Sequence, residues 1–288
     1  MHKVKAKGIL SSGNSMNVYR GCSHGCIYCD ARSDCYNMEH DFEDIEVKEN
    51  APELLEAAIR SKRRRCVIGS GAMCDPYLPA EEELKITRRC LEIIDRYRFG
   101  AALLTKSDLI MRDINLLDSI NRHAGAYVQM TLTTADEALC RIVEPNVCTT
   151  ARRFEVLLEM RERGIPTVIW FCPILPFIND TAENVSAIVD MAKRAGCIGV
   201  ISFGIGMTLR SGDREYYYRA LDRHFPGLKQ RYIKTYGSAY ELSSLNGGKL
   251  WKLFVSECEK AGIEWRNDVI FRQMRQIRES EQLTLFDM

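Results

Sequence analysis

RGCSHGCIYCDARSDCYN, residues 20–37, brings Cys22, Cys26 and Cys29 into one short stretch, with three residues between the first pair and two between the second. Four thiolates normally close an iron–sulfur cluster, so three leave one iron without a protein ligand and open to a small molecule. An open position is the mark of a catalytic metal centre rather than a structural one. Zinc is the competing reading: Cys35, His24 or His40 would supply a fourth ligand, although zinc-binding cysteine pairs come more usually as CxxC.

The rest of the chain frames that choice. A chain of 288 residues, 46% hydrophobic and 27% charged, can bury a sizeable core as one α/β domain or one domain with an appendage. Lys and Arg number 40 against 39 Asp and Glu, so the net charge of +1 creates no field that demands nucleic acid or an anionic membrane. The N-terminal residues carry no apolar stretch of signal-peptide length. The longest apolar runs, VIWFCPILPFI (168–178) and CIGVISFGIGM (197–207), fall well short of the ~20 residues a membrane helix requires. A soluble, cytoplasmic protein without membrane partners is expected. In that reducing compartment the twelve cysteines read as metal ligands, reactive groups and small buried hydrophobes, not as a disulfide framework.

Outward from the cysteines, β-rich and helical stretches alternate. Strands are predicted in MNVYRGC (16–22), RCVIGSGAM (65–73), GAALLTK (100–106), AYVQMTLTT (126–134), IPTVIWFCPIL (165–175) and CIGVISFGIG (197–206). Helices are predicted in APELLEAAIRSKRR (51–64), ELKITRRCLEIIDRY (83–97), DLIMRDINLLDSINRH (108–123), TARRFEVLLEMRERG (150–164) and TAENVSAIVDMAKRAG (181–196), where apolar residues recur at spacings of three and four. Leu54, Ala58 and Ile59 mark the first apolar face, and Gly164 and Gly196 stand as C-terminal stops. Strict alternation implies parallel strands joined by right-handed crossovers, hence an open sheet or a complete or partial barrel. Past residue 206 the alternation ends, and REYYYRALDRHF, GGKLWKLFVSECEKAG and NDVIFRQMRQIRESEQ read as helices around a Tyr- and Gly-containing connector. The expected organisation is an α/β body over 1–205 and a helical extension over 206–288 that covers its open side. Ligands of such folds lie at the C-terminal ends of the strands, and the three cysteines follow the first strand at that face.

CSHGCIYC fits the CxxxCxΦC pattern of the radical S-adenosylmethionine (SAM) superfamily, with Tyr28 as the aromatic residue before the last cysteine, and the βα units resemble that superfamily's partial (β/α)6 barrel. More narrowly, the chain resembles the family of spore photoproduct lyase, described as DNA repair photolyase-like, through NVYRGCSHGCIYCDAR, CDPYLPAEEELKITRRCLEII, LLTKSDLIMRDINLL, MTLTTADEALCRIVEPN and PILPFINDT. The resemblance extends over residues 16 to 205. It implies a 4Fe-4S cluster whose unique iron chelates SAM, reductive cleavage of the sulfonium to a 5'-deoxyadenosyl radical, and hydrogen abstraction from a substrate. It also implies a flavodoxin- or ferredoxin-type one-electron reductant. The substrate would be a nucleic-acid lesion, or a molecule of another kind, since a fold does not transmit substrate identity. A non-enzymatic iron–sulfur protein or a zinc-stabilised binding protein are the other classes left open.

The resemblance assigns further residues. Lys106, in LLTKSD, would hold the SAM carboxylate, though it also reads as a surface lysine at a strand exit. Thr131 and Thr133 lie two apart on one side of a strand, where the family places a hydroxyl near SAM; threonine is equally a good strand former. Ser70, Gly71 and Ala72 allow the close approach that the SAM amino group requires, or form a plain turn into Asp75-Pro76. Glu144–Asn146 and Pro176–Asp180 match the family, but capping is the preferred role for both, with Asp180 or Thr181 before AENVSAIV and Glu183 strengthening that start. The basic run Arg60, Lys62, Arg63, Arg64, Arg65 is either a phosphate-binding patch or the solvated end of a helix. Cys74 stands immediately before Asp75, whereas the cysteine that returns a hydrogen atom in spore photoproduct lyase stands three residues before its aspartate, the place of Ala72 here. Cys74 is the candidate catalytic hydrogen donor if the strand continues and carries it to the same cavity, but with a turn at Asp75-Pro76 a buried core thiol is the preferred reading, and spore photoproduct is not expected to be the substrate.

Overall fold

Six strands pair side by side, all parallel, in the computed structural model, which describes residues 1–71 and 73–278. They are β1 (Ser15–Met16), β2 (Val67–Ser70), β3 (Gly100–Thr105), β4 (Ala126–Thr131), β5 (Thr167–Trp170) and β6 (Gly199–Ile201), neighbours in chain order. Helices α1 (Ala51–Ser61), α2 (Ile86–Arg96), α3 (Ile114–His123), α4 (Thr150–Glu162) and α5 (Ala182–Ala195) each fill one crossover. β1 and β6 are opposite edges of this sheet, so the expected (β/α)6 barrel is partial. Among the described residues no helix is long and apolar enough to cross a membrane.

The two-residue period of the strands sorts their side chains between two cores. Ile68, Leu103, Val128, Ile169 and Val200 join the core beneath the helices. Val67, Ala102, Tyr127, Val168 and Ile201 form a second cluster on the concave face with Ile270 and Met274. Those last two belong to a C-terminal helix, Asn267–Met274, which fills the entry end of the concave face and contributes roughly 2–3 kcal/mol for each buried apolar side chain. Gly199 is required there, because a Cβ would lie 2.6 Å from Ile270 Cδ1. The strand-exit end of the concave face, with Leu104, Thr131 and Trp170, is left to wall a cavity.

Three expectations are corrected. MNVYRGC is not one strand: Ser15–Met16 joins the barrel, while Tyr19–Arg20 pairs antiparallel with Glu46–Lys48 in a separate three-stranded sheet that includes His2–Val4. The buried face of α1 runs through Ala51, Pro52, Leu55 and Ile59, so Leu54 and Ala58 are flankers. The C-terminal region is not only helical. Beside α6 (Asp213–His224), α8 (Gly247–Ala261) and α9 (the Asn267–Met274 helix) it holds α7 (Leu228–Tyr236) and an antiparallel ribbon of β7 (Gly206–Thr208) and β8 (Glu241–Ser243). α7 escaped the periodicity because Tyr232 is its one buried residue and Gly227 and Gly237 bound it. The basic run 60–65 leads into the entry end of β2, opposite the strand-exit cavity.

The C-terminal region grips the segment that follows the cysteines. Asp34 N donates to Ser211 O at 3.0 Å, Arg210 Nε lies 3.3 Å from Asp30 Oδ1, and Gly212 fits only because it has no Cβ, which would stand 2.5 Å from Asp34 Oδ1. Next in the chain, Asp213 is fully buried and neither carboxylate oxygen finds a hydrogen-bond partner among the described residues. Burial first, and the nearby Asp30 second, push its carboxyl up to about 7. The folded chain therefore binds this proton more tightly than the unfolded chain, and stability falls as pH rises from about 4 towards 7, with the whole loss in place above that. Asp213→Asn should raise stability at pH 8 by about 1–3 kcal/mol and change it little at pH 4. Urea midpoints at the two pH values test this; an equal effect at both would remove the carboxyl's titration as the cause.

Candidate active site

Residues 21–29 form a loop braced from two sides. Gly21 has φ 83°, and a Cβ there would meet Phe42 O at 2.5 Å; that same carbonyl accepts from Cys22 N at 2.9 Å. Gly25 has φ 69° and packs on Asn146, whose Nδ2 donates to Ser23 O at 2.9 Å and whose N donates to His24 O at 3.1 Å. The EPN stretch is therefore a brace for the cysteine loop and not a helix cap, which corrects the preferred sequence reading. At PFIND the capping reading fits Thr181 alone, whose Oγ1 accepts from Asn184 N at 3.1 Å; Asp180 Oδ2 instead accepts from Ser244 Oγ at 2.5 Å.

Cys22, Cys26 and Cys29 face one cavity of about 640 Å³ at the strand-exit end of the sheet, together with Tyr28, Gly71, Lys106 and Thr131. Among the described residues, the one group of potential metal ligands whose donor atoms all lie within 4.8 Å of one another is His2, His40 and Asp44. The three thiols are thus spread wider than a single zinc would draw them, since bonds of ~2.3 Å bring sulfurs to within about 4 Å. They suit a polynuclear cluster better. Cys35, a proposed fourth zinc ligand, is exposed and receives Arg210 Nη1 at 3.2 Å, and neither it nor His40 lines the cavity. In the polypeptide alone burial pushes all three thiols up, Cys22 to about 12, so metal loading must release their protons.

Lys106 follows β3 and turns into the cavity, its Nζ 5.8 Å from the Tyr28 ring centroid. Burial alone would lower its pKa, but Cys26, Glu144 and Asp75 around it raise it above the ordinary lysine value, and the ammonium stays charged. No carboxylate pairs with that ammonium among the described residues. Asp75 is what positions it: its carboxylate accepts from Lys106 N at 2.8 Å, Thr105 Oγ1 at 2.6 Å and Tyr77 N at 2.9 Å, and lies 3.5 Å from His24 Nδ1. Burial keeps that imidazole's pKa low.

The other expected residues divide. Thr131 lines the cavity; β4 ends there, and Thr133 turns away, its Oγ1 donating to Glu144 Oε1 at 3.3 Å. Ser70 is buried outside the cavity wall, as the alternation from Ile68 requires. Gly71 lines the cavity with φ 101°, and a Cβ would sit 2.0 Å from Leu104 O. Gly71→Ala should cost about 1–3 kcal/mol of stability, read as a lower denaturant midpoint. Ala72 lies outside the described residues. Cys74 is buried as expected, with Sγ 2.8 Å from Gly21 O, and it also contributes to the cavity wall. Burial holds it as a neutral thiol.

Several residues carry the site in roles that the sequence did not reveal, Glu144 among them, which reads there as a cap. Glu144 and Arg153 are both fully buried and paired at 2.5 Å, and Tyr28 OH donates to Glu144. Burial alone would raise Glu144, yet Arg153, Lys106 and the Tyr28 hydrogen bond hold its carboxyl below the usual range. Trp170, its Nε1 donating to Gln129 Oε1 at 2.8 Å, and Phe203, 66% exposed with its ring 5.8 Å away, stand at the cavity with Cys172. Both aromatic residues fall inside the predicted strand stretches, so their apolar character read as core.

Comparison with known proteins agrees with this geometry. The Radical SAM superfamily matches residues 16–185. An uncharacterized protein of Mycobacterium tuberculosis is 29% identical over 242 residues, covering 82% of this chain and 71% of its own. An uncharacterized protein of Methanocaldococcus jannaschii is 33% identical over 186 residues, covering 62% and 69%. Among solved structures, a spore photoproduct lyase mutant with dinucleoside spore photoproduct superposes with a TM-score of 0.64 at 12% identity, over 90% of this chain and 78% of that one. Another, with bound AdoMet and the same dinucleoside, gives 0.60 over 85% and 72%, also at 12% identity. With the matched region spanning more than half its length, and three thiols gathered at the strand-exit face of a six-stranded parallel sheet, the chain belongs to the radical SAM superfamily.

Proposed function

We propose that Cys22, Cys26 and Cys29 ligate the 4Fe-4S cluster that this superfamily uses with SAM, and that Lys106 holds the SAM carboxylate. The carrying observation is that three thiols, Cys26 buried and Cys22 and Cys29 half-buried, share the wall of a single cavity with one charged ammonium that no carboxylate pairs among the described residues. When bound and reduced by one electron, cluster and SAM supply a 5'-deoxyadenosyl radical. The chain's own residues do the positioning. Tyr28 is fixed by Glu144, Thr131 offers a hydroxyl, Gly71 lets the strand exit lie close against Leu104, and β7 and β8 line one side of the cavity. Twelve free cysteines suit a reducing, cytoplasmic setting and a flavodoxin- or ferredoxin-type donor.

Lys106→Ala should weaken SAM binding by ~1–3 kcal/mol while iron and sulfide content are unchanged, as equilibrium dialysis of the reconstituted protein would show. Unaltered affinity would return Lys106 to a structural role.

For the substrate we propose a nucleic-acid lesion other than spore photoproduct. Support comes from the fold shared with spore photoproduct lyase structures that contain a dinucleoside. Exposed Phe203 beside Trp170 offers a flat surface at the cavity. A substrate of another kind is favoured by the basic run at the far end of the sheet, where it cannot meet phosphates entering the cavity. Anaerobic incubation with labelled SAM and a cellular nucleic-acid fraction, following the label, separates the two. With a spore-photoproduct dinucleotide no repair is expected. Repair that disappears in Cys74→Ala while SAM cleavage continues would make Cys74 the hydrogen donor and overturn that expectation.

A further inference from the structure

We propose that His2, His40, Asp44 and Glu46 form a zinc site, separate from the three thiols, on the small N-terminal sheet. The sheet register pairs His2 with Glu46 on adjacent parallel strands, so their side chains stand on one face. Asp44 Oδ2 lies 2.9 Å from His2 Nδ1, and its other oxygen takes the Met1 ammonium at 2.5 Å. The His40 ring meets the His2 ring edge-on with centroids 4.7 Å apart, and its Nε2 lies 3.7 Å from Glu46 Oε2. Donor atoms of His2, His40 and Asp44 all fall within 4.8 Å of one another.

His40 supplies the independent observation. Its Nδ1 lies 3.0 Å from Asp41 O, a contact that requires the proton on Nδ1. In the neutral ring Nε2 then carries the lone pair, and that atom is buried with no hydrogen-bond partner among the described residues. A backbone carbonyl fixing one ring nitrogen while the other faces the Glu46 carboxylate with no hydrogen bond is the arrangement that orients a metal-ligating histidine. Two imidazoles and two carboxylates are a borderline set that suits zinc; calcium and magnesium take oxygen almost exclusively. Bonds of ~2.0–2.2 Å require the donors to close to roughly 3.3 Å, a movement that side-chain rotation provides.

Such an ion would tie the His2–Val4 strand to residues 40–46. Phe42, inside that segment, gives its carbonyl to Cys22 N and seats Gly21 in its left-handed conformation. Zinc would therefore stiffen the outer support of the cysteine loop without sharing a ligand with it.

The test uses the cluster-reconstituted, full-length protein dialysed anaerobically against buffered zinc. About one zinc per chain should be retained beyond that in His40→Gln and Asp44→Asn, each binding at least about tenfold more weakly. The zinc X-ray absorption spectrum should show only nitrogen and oxygen neighbours at ~2.0 Å with imidazole outer-shell scattering, and zinc should raise the wild-type melting temperature but not that of the variants. Retention no greater than in the variants, or sulfur scattering at ~2.3 Å, would overturn the proposal, because the bound zinc would then sit on cysteines or nowhere specific. Should either variant fail to fold, the wild-type spectrum decides alone.

Discussion

Alanine at any one of Cys22, Cys26 or Cys29 will reduce 5'-deoxyadenosine formation to background. A three-cysteine loop has no spare ligand: Cys35 is exposed and engaged with Arg210, and His24 is turned to Asp75. A lost thiolate therefore leaves a second iron without a protein ligand, and the cluster is lost or mis-seated. Folding should survive, because the loop is pinned by its backbone through Phe42, Val143 and Asn146 and not through the sulfurs. The measurement is iron, sulfide and 5'-deoxyadenosine per chain after anaerobic reconstitution, with Cys35→Ala as the control that keeps wild-type activity. Wild-type product from any of the three single variants would falsify the ligand assignment. Reconstitution should also proceed further at pH 8.5 than at pH 7, since burial holds these thiols protonated until metal displaces the protons.

The parts of this architecture that repeat were legible in the chain. β-branched runs alternating with three- and four-spaced helices specified six parallel strands, and the cysteines, read as following the first strand, do line the cavity at the strand exits, although that strand ends earlier than MNVYRGC. What stayed hidden was polar structure inside the protein. Asp75-Pro76 read as a turn, and a turn it is, but sequence pattern says nothing of a carboxylate that collects the backbone of Lys106 from 31 residues away. Glu144 read as a loop residue near a helix start, because its partner Arg153 lies in the next helix, where charge is ordinarily counted as surface. One clue was present: Arg153 falls in phase with Leu157 and Met160 on the buried face of α4, at spacings of four and seven. Thr133 misled for a related reason. The two-residue rule holds only while the strand continues, and β4 stops at Thr131.

That buried pair leads to the second large effect. Arg153→Ala should lower stability by about 3–5 kcal/mol, the range for leaving one member of a buried ion pair uncompensated. The guanidinium is fully buried and every arm is used: Nε donates to Cys148 O at 2.9 Å, Nη1 donates to Thr131 O at 2.9 Å and meets Glu144 at 2.5 Å, and Nη2 lies 3.6 Å from Cys140 Sγ. Removing it strands a carboxylate left to the Tyr28 and Thr133 hydroxyls and the weak Cys140 thiol donor at 3.7 Å. Glu144→Gln in the same background should recover part of the loss, because the amide oxygen can still accept from Tyr28 while the buried charge is gone. Urea midpoints of the two single variants and the double variant give the coupling directly. A loss below about 1 kcal/mol for Arg153→Ala, or strict additivity, would show that the pair does not hold this region together. The same arginine reaches Thr131 through its carbonyl and Tyr28 through Glu144, and both of those residues line the cavity. SAM affinity should therefore fall in Arg153→Ala and return towards wild type in the double variant, which ties the stability of the α4 contact to the shape of the site.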